Sequence, residues 1–345
     1  MITSSSFDEF GIHSTVERSF WITYLLIVLL SSLIGDSIIL IATIKYNAIK
    51  LNKFLVTIMQ HIAVCDILAS VTYVLPTMIS LIANKWILGD AIAYIHVYLD
   101  TASLVSSNIL ICALICSKLL LLEFPLHARR WTLTKAHITC ACIWIFALSI
   151  PAVRLSLDGE GLVFDFIEYN INYDYISKYS KAVKIAIHTI SVLVIDIPVA
   201  IVIITTCLTL VHLIRSRKAA RRSGGDQRWQ GIVTVVAAGT VYCVANLPDR
   251  TTFLIFDVIS STEIPHHIYL SRFCECFSTF NIMCNFFIYS LTVPSFKAFL
   301  KSKITDVISG KVREYCRCGR KEATREQDKE NSGNKFDLME CGTRI

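Results

Sequence analysis

The amino-acid sequence predicts an all-α membrane protein, a seven-transmembrane helix bundle with a short amphipathic helix after the last span. Of its 345 residues, 54% are hydrophobic and only 17% are charged, whereas soluble domains carry about 25% charged residues. The charges are clustered between long apolar stretches, and each stretch can cross a bilayer core of about 30 Å. The predicted spans are 21–44, 54–82, 92–122, 137–157, 182–214, 231–257 and 266–292. All seven are too long for the strands of a membrane β-barrel.

Lysine and arginine residues mark one side of the predicted bundle. They are concentrated in alternate connections and in the tail, as in Lys45, Arg129 and Arg215, whereas the connection at 158–181 is acidic. Because short cytoplasmic loops are enriched in these residues, we expect the amino terminus outside and the carboxy terminus in the cytoplasm. The predicted division is an extracellular segment at 1–20, a seven-span domain at 21–292, and a cytoplasmic helix and tail at 293–345.

The chain has 13 cysteines, and none lies in a segment that we expect outside the cell. An extracellular disulfide is therefore not expected, although that compartment is oxidising. Cys316 and Cys318 follow the predicted amphipathic helix. They are either palmitoylation sites or two reduced tail thiols.

Ionisable side chains inside the predicted spans mark candidate functional positions, because a charge at mid-bilayer costs about 2.5–3.5 kcal/mol on insertion scales. Asp36 and Asp66 lie in the inner halves of the first and second spans. Asp100 and Lys118 are separated by five whole helical turns of the third span, so they lie on one face. This places an acid near the outer mouth and a base at the inner end.

A series of short motifs then appears in a fixed order along the chain. They are Gly35-Asp36, Ile62-Ala63-Val64-Cys65-Asp66, Trp86-Ile87-Leu88-Gly89, Trp144, Pro198, Pro248, Asn285-Phe286-Phe287-Ile288-Tyr289 and Phe296-Lys297-Ala298-Phe299-Leu300. With this order, residues 21–300 resemble a rhodopsin-like (class A) G-protein-coupled receptor. The resemblance implies a plasma-membrane receptor, not an enzyme, that binds an extracellular ligand and signals to a heterotrimeric G protein. Arrestin is a further candidate partner.

The resemblance also implies a polar core beneath the ligand pocket. A sodium ion is expected there, with the ligands Asp66, Ser107, Asn281 and Asn285. A hard cation prefers such carboxylate, hydroxyl and amide oxygens, and a hydrated network without an ion is the alternative. The implied switch residues for G-protein coupling are Lys118, Asn285 and Tyr289.

Several motifs depart from the family pattern. Ser117-Lys118-Leu119 replaces D-R-Y, Asn246 replaces the toggle tryptophan, Phe286 a proline, Thr206 a tyrosine, and Ala93 the disulfide cysteine of the third span. Lysine keeps the positive charge but lacks the planar guanidinium fork of arginine. Arg228, near the inner end of the sixth span, supplies a like charge instead of an acidic partner. We therefore expect that Lys118 lacks its resting-state latch and is repelled by Arg228, which favours raised basal activity. The alternative for Lys118 is that it only meets lipid phosphates or solvent. For the whole protein, the alternative is a ligand-binding or scavenging receptor that does not couple to G proteins.

Asp100 occupies the position at which amine receptors of the family place their ammonium counter-ion, a charge-assisted contact. Further candidate ligand-binding residues lie at the same level: Asn246, Asp249, Arg250, Glu275 and Thr279. This mixed-charge set suits a peptide or zwitterion at least as well as an amine. Mutual pairing, of Arg250 with Glu275 or Asp100, is the structural alternative.

Other classes of seven-span protein fit the sequence less well. An opsin needs a lysine in the seventh span, and residues 266–292 contain none. A membrane metal hydrolase needs clustered ligands, whereas the nine histidines are scattered. A secondary transporter is expected to show repeated halves with interrupted spans, and the sequence shows no such repeat.

Overall fold

The structure, a computed structural model, describes residues 15–47, 49, 52–83, 85–124, 131–157, 162–165, 170–173, 189–190, 192–220, 226–254 and 265–306. In parts of the last three spans only the backbone is described. Long helices lie at all seven predicted positions. The predicted fold class is therefore confirmed.

The first span is α1 (Thr15–Ile44), and the second consists of α2 (Lys53–Ala69), a π-helical turn (Ser70–Val74) and α3 (Leu75–Ala83). The third span is α4 (Asp90–Glu123), and the fourth is α5 (Leu133–Leu157). The fifth begins with a π-helical turn (Val192–Asp196) and continues as α6 (Ile197–Ala220). The sixth and seventh are α7 (Asp226–Leu254) and α8 (Pro265–Thr292). The end of the bundle at which α4 begins is called the upper end, and the other is the lower end.

Both π-helical turns have a local cause in the sequence. Pro76 and Pro198 each lie two residues after such a turn. A proline inside a helix has no N–H and its ring clashes with the carbonyl group four residues earlier. The backbone before Pro76 widens accordingly, and the Leu75 N–H donates to the Ser70 carbonyl, five residues away. Each proline therefore reshapes the turn that precedes it.

Two apolar clusters hold neighbouring spans together. One joins the first, second and seventh spans through Leu25, Val28, Leu29, Val74 and partly buried Ile282. The other joins the third, fourth and fifth spans through Val105, Ala147, Val194 and their neighbours. Lipid tails are as apolar as these side chains, so within a bilayer close van der Waals packing, and not removal from water, stabilises such clusters. The clusters fix which faces of the helices point inward.

Apolar side chains also cover the outside of the bundle. Ile34, Ile145 and Ile204 are examples, each at least 60% exposed. Within the described residues, five helical segments are long and apolar enough to cross a membrane, and the sixth span adds a shorter apolar segment, Val236–Pro248. The exposed apolar faces are those that lipid would cover.

Two smaller elements complete the described chain. Strands β1 (Leu162–Asp165) and β2 (Asn170–Tyr173) form an antiparallel hairpin in the acidic connection, with Leu162 opposite Tyr173. A short helix, α9 (Pro294–Asp306), follows the seventh span, as predicted. Within α9 the rings of Phe296 and Phe299 stack with centroids 6.4 Å apart. The hairpin was not predicted.

Candidate functional site

The Trp86–Gly89 motif forms the turn directly before the third span, which begins at Asp90. Gly89 adopts a positive φ of 84°, a backbone conformation that glycine tolerates without strain. The Trp86 indole Nε1 donates to the Gly89 carbonyl oxygen at 3.0 Å. This turn directs the chain into α4 at the upper end.

A histidine clamps the second and third spans one turn above Asp100. The buried His96 Nδ1 donates to the Thr72 carbonyl oxygen, the group that Pro76 cannot pair because it lacks an N–H. The His96 ring stacks on Tyr73 with centroids 6.2 Å apart and an interplanar angle of 9°, and it contacts Trp86 at 5.5 Å. Sequence reasoning missed this clamp, although Pro76 indicates a free carbonyl group at Thr72.

Asp100 lies one helical turn below His96 on α4. Its side chain is partly exposed, and it forms no hydrogen bond or ion pair with another described side chain. Its own backbone carbonyl accepts a hydrogen bond from Ser103 at 2.9 Å. His96, one turn above it, acts on Asp100 electrostatically. A carboxylate that forms no hydrogen bond or ion pair with a described side chain can bind a cation by charge pairing.

The other predicted ligand-binding residues differ in their surroundings. Thr279 is buried, and its Oγ1 lies 3.0 Å from the Tyr24 hydroxyl across the first and seventh spans. Asn246 is buried and donates to the Tyr242 carbonyl oxygen at 2.9 Å. The side chains of the remaining three candidates lie outside the described residues: Asp249, Arg250 and Glu275.

The centre of the bundle brings two of the four predicted sodium ligands together. Asn285 Nδ2 donates to Asp66 Oδ2 at 2.6 Å, across the second and seventh spans. Ser107 Oγ is buried without a hydrogen-bond partner, whereas Asn281 is partly exposed and forms no hydrogen bond with Asp66. A buried carboxylate and an unpaired hydroxyl fit a hard cation. These groups are suitable ligands for a hard cation, and ion binding here stays a prediction.

A further polar contact joins the third and sixth spans and was not predicted. The Tyr242 hydroxyl donates to Asn108 Oδ1 at 2.8 Å, and both residues are buried. Asn108 Nδ2 has no hydrogen-bond partner. The pair lies about one turn below Asn246 along the sixth span. A signal was present in the sequence, because Asn108 and Tyr242 are polar side chains inside predicted spans.

Comparisons with known proteins identify this architecture. The profile of the seven-transmembrane receptor (rhodopsin) family matches residues 35–289. The chain belongs to this family.

Two individual relatives have low sequence identity to this chain. The receptor is 24% identical over 143 residues to 5-hydroxytryptamine receptor 1 of Aplysia californica, covering 39% of this chain and 32% of that protein. It is 29% identical over 153 residues to the octopressin receptor of Octopus vulgaris, covering 41% of this chain and 35% of that protein. The matched part thus spans about a third of the length of these curated relatives.

The lower end of the receptor holds the predicted switch residues. Lys118 is only 6% exposed, and it forms no ion pair with any side chain of the described part. Its neighbour Ser117 is buried as well, and so is Tyr289 of the seventh span. The side chain of Arg228 lies outside the described residues, so the predicted repulsion remains a prediction. A buried ammonium group without an anion is electrostatically costly.

Two residues that depart from the family motifs, Phe286 and Thr206, each face a glycine on the adjacent helix. A Cβ on Gly35 would lie 2.7 Å from Phe286 Cβ and 2.8 Å from its Cγ. A Cβ on Gly239 would overlap Thr206 Oγ1 and lie 3.1 Å from its Cγ2. Phe286 and Thr206 are the residues that replace the usual proline and tyrosine. In each case the absent side chain of glycine lets the helices approach closely.

Proposed function

We propose that this receptor binds an extracellular ligand through a cationic group at Asp100 and signals from its lower end to a heterotrimeric G protein. The upper end then faces outward, the tail lies in the cytoplasm, and the receptor resides in the plasma membrane. The observation that carries this proposal is the partly exposed Asp100 carboxylate, which forms no hydrogen bond or ion pair with a described side chain and lies one turn below His96. The chain acts by binding, as its family does, and not by catalysis.

The surroundings of Asp100 favour ligands with a protonated amine. On one side lies His96, whose ring contacts Tyr73 and Trp86. On the other side we expect the polar candidate residues of the sixth and seventh spans. A peptide or zwitterion would use both sides, whereas a simple amine would need only the first. One relative is named as a receptor for 5-hydroxytryptamine, which is an amine, and the other for octopressin.

The test is a screen of cationic peptides, zwitterions and amines for stimulated nucleotide exchange on purified G proteins, with arrestin recruitment measured in parallel. Asp100→Asn should lower the affinity for an active ligand by about 10- to 100-fold, because a hydrogen bond to a charged group contributes about 1.5–3 kcal/mol. Asp90→Asn is the matched control, since it removes the same charge from an exposed position on the same helix. Equal affinities for wild type and Asp100→Asn would reject the proposed contact.

The second candidate is a receptor that binds ligand without activating a G protein. The observation that favours it is the Ser117-Lys118-Leu119 triplet, in which Lys118 is buried and has no acidic partner among the described side chains. Ligand binding that depends on Asp100, without nucleotide exchange on any G-protein class, would support this alternative. Ligand-stimulated exchange would exclude it.

A further inference from the structure

The second span widens at a point where it faces the third span. In its π-helical turn, Ser70–Val74, the Leu75 N–H donates to the Ser70 carbonyl five residues earlier. Pro76 follows and has no N–H, so the Thr72 carbonyl receives no donor from the position four residues later. A backbone carbonyl that is left without a donor away from water is unfavourable. The Thr72 carbonyl therefore favours a donor from another helix.

His96 of the third span supplies that donor. Its Nδ1 donates to the Thr72 carbonyl oxygen, and its ring stacks on Tyr73, the next residue of the same widened turn, at an interplanar angle of 9°. Trp86, in the connection before the third span, contacts the same ring with centroids 5.5 Å apart. His96 is only 2% exposed. One buried side chain thus joins the second span, the connection and the third span.

The connection that carries Trp86 is itself fastened to the start of α4. The Trp86 indole and the Ala93 N–H both donate to the Gly89 carbonyl oxygen, at 3.0 and 3.1 Å. Ala93 stands where the family has a disulfide cysteine, and the sequence contains no cysteine between Cys65 and Cys112. The upper part of the third span therefore has no cysteine for a disulfide, and noncovalent contacts hold it.

These contacts lie close to the candidate ligand-binding carboxylate. Asp100 follows His96 by one helical turn of α4, about 6 Å along the axis, and His96 acts on it electrostatically. Backbone hydrogen bonds make a single helical turn rigid, so the two side chains keep a fixed relation to each other. A shift or rotation of α4 at His96 would therefore move Asp100 by a similar amount.

We propose that His96 is a positioning residue of the ligand site. Through its contacts with the second span and with Trp86, it fastens the upper end of the third span and sets the height and rotation of Asp100. It does so noncovalently, where the family has a disulfide. The proposal rests on the proposed function, because it concerns the same site, but its test uses no ligand and no G protein. Its failure and that of the proposed function are therefore distinguishable.

The first measurement is hydrogen–deuterium exchange of the full chain in nanodiscs, read by mass spectrometry at constant pH. His96→Phe keeps a ring and removes the donor, so amides in 90–100 should exchange at least about fivefold faster, because local opening becomes easier. Amides in 110–123, on the same helix, should keep the wild-type rate; an equal increase there would overturn the proposal. His96→Asn, which retains an N–H donor near the position of Nδ1, should keep more of the protection than His96→Phe.

A change at Pro76 tests the hydrogen bond itself. Pro76→Ala restores an N–H that can pair with the Thr72 carbonyl within the second span. In this background His96→Phe no longer leaves that carbonyl unpaired, so its effect on deuterium exchange should fall below about twofold. An equal effect of His96→Phe in both backgrounds would overturn the proposal, because the bond to Thr72 would then not be what holds the third span.

The position of Asp100 is measured on the carboxylate itself. A water-soluble carbodiimide couples an amine to accessible carboxylates, and mass spectrometry gives the modification of Asp100 relative to that of Asp90, which is exposed on the same helix. We expect this ratio to rise at least about threefold in His96→Phe, because local opening exposes a carboxylate that is only partly exposed in the closed form.

Tyr98→Phe is the matched control, because the Tyr98 hydroxyl also donates from the third span to a backbone carbonyl, that of Leu148 on the fourth span, at 2.7 Å. It should leave the Asp100 ratio unchanged. A wild-type ratio in His96→Phe would overturn the proposal, since the contacts of His96 would then not position Asp100. An equal rise of the ratio in Tyr98→Phe would also overturn it, since general loosening of the third span would be responsible.

Discussion

The buried hydrogen bond between the third and sixth spans provides a quantitative prediction for activation. In the family, the sixth span moves away from the third when the G protein binds. Here Tyr242 and Asn108 join these spans at 2.8 Å, and the two residues are only 1% and 2% exposed. Tyr242→Phe removes the donor and keeps the ring. It leaves Asn108 with no partner at either end of its amide, because Nδ2 is already unpaired.

The expected size of the effect follows from this burial. Leaving a buried polar group unsatisfied costs about 1–3 kcal/mol. If the bond exists only in the closed arrangement, the closed state loses this free energy and the open-to-closed ratio rises about 5- to 150-fold. Tyr242→Phe should therefore raise basal nucleotide exchange and lower the thermal unfolding midpoint of the receptor without ligand.

Exchange is measured on purified G protein with equal amounts of folded receptor in nanodiscs. Tyr98→Phe is the matched control, because the Tyr98 hydroxyl donates to the Leu148 carbonyl oxygen at 2.7 Å and joins the third span to the fourth instead. It should lower the midpoint without raising exchange. In Tyr242→Phe combined with Asn108→Leu, both polar groups are gone, and the midpoint should recover towards that of wild type.

Two results would refute the reasoning. If Tyr242→Phe is folded and its basal exchange equals that of wild type, then the bond does not discriminate between the closed and open arrangements. If Tyr98→Phe raises exchange to the same extent, then general loss of stability, and not the contact between the third and sixth spans, is responsible. A double-mutant cycle of Tyr242→Phe, Asn108→Leu and the variant with both changes separates the energy of the Tyr242–Asn108 contact from the effect of each single change.

Other changes test the packing, the coupling surface and the orientation of the receptor. Gly35→Ala places a Cβ 2.7 Å from Phe286 Cβ, so it should destabilise the receptor by about 1–3 kcal/mol. The cost should be smaller in a Phe286→Gly background, and equal costs would contradict the contact. Ser117→Asp should lower basal nucleotide exchange at matched surface expression by giving Lys118 an acidic neighbour; unchanged or higher exchange would exclude the missing-latch hypothesis. An epitope tag at Met1 should stain intact cells, and staining only after permeabilisation would reverse the predicted orientation.

The helices of this receptor could be predicted because burial in lipid leaves a long apolar signal. Their ends could not be predicted as well. The first helix begins at Thr15, whereas its apolar stretch begins near Trp21, because a helix can continue into water through polar residues such as Glu17 and Arg18. Hydropathy measures the length inside the bilayer, and hydrogen bonding sets the length of the helix.

The polar contacts of the site depend on helix rotation, which a single sequence does not specify. Asp100 and Asp66 were found because a charge inside a span is rare. The Tyr242–Asn108 bond joins residues 134 positions apart, and asparagine or tyrosine in a span also occurs without such a partner. The clamp at His96 was predictable only in part, since Pro76 leaves a carbonyl group free but does not indicate which side chain will reach it.

The departures from the family motifs are coupled to the residues that face them. Phe286 replaces a proline, and its Cβ and Cγ lie 2.7 and 2.8 Å from the position that a Cβ on Gly35 would take. Thr206 replaces a tyrosine and is accommodated by Gly239 in the same way. A larger residue at either glycine would force the helices apart, since overpacking in a close-packed interface is destabilising. The helices can therefore stay closely packed at these two contacts, although the side chains in the contacts differ from those of the family.

The replacement of the toggle tryptophan by Asn246 is likewise accompanied by a polar contact between the third and sixth spans. Asn246 takes the place of a tryptophan and folds back onto the Tyr242 carbonyl oxygen, while the Tyr242 hydroxyl bonds to Asn108. Contacts between rings weaken gradually with distance, whereas a hydrogen bond is lost once its atoms are more than about 3.5 Å apart. If the third and sixth spans separated only slightly, Asn108 would stay buried but lose its partner. This intermediate arrangement is therefore less favourable than the closed arrangement or a fully open one. It follows that a stable open arrangement of this receptor requires a new partner for Asn108, either a water molecule or another polar side chain.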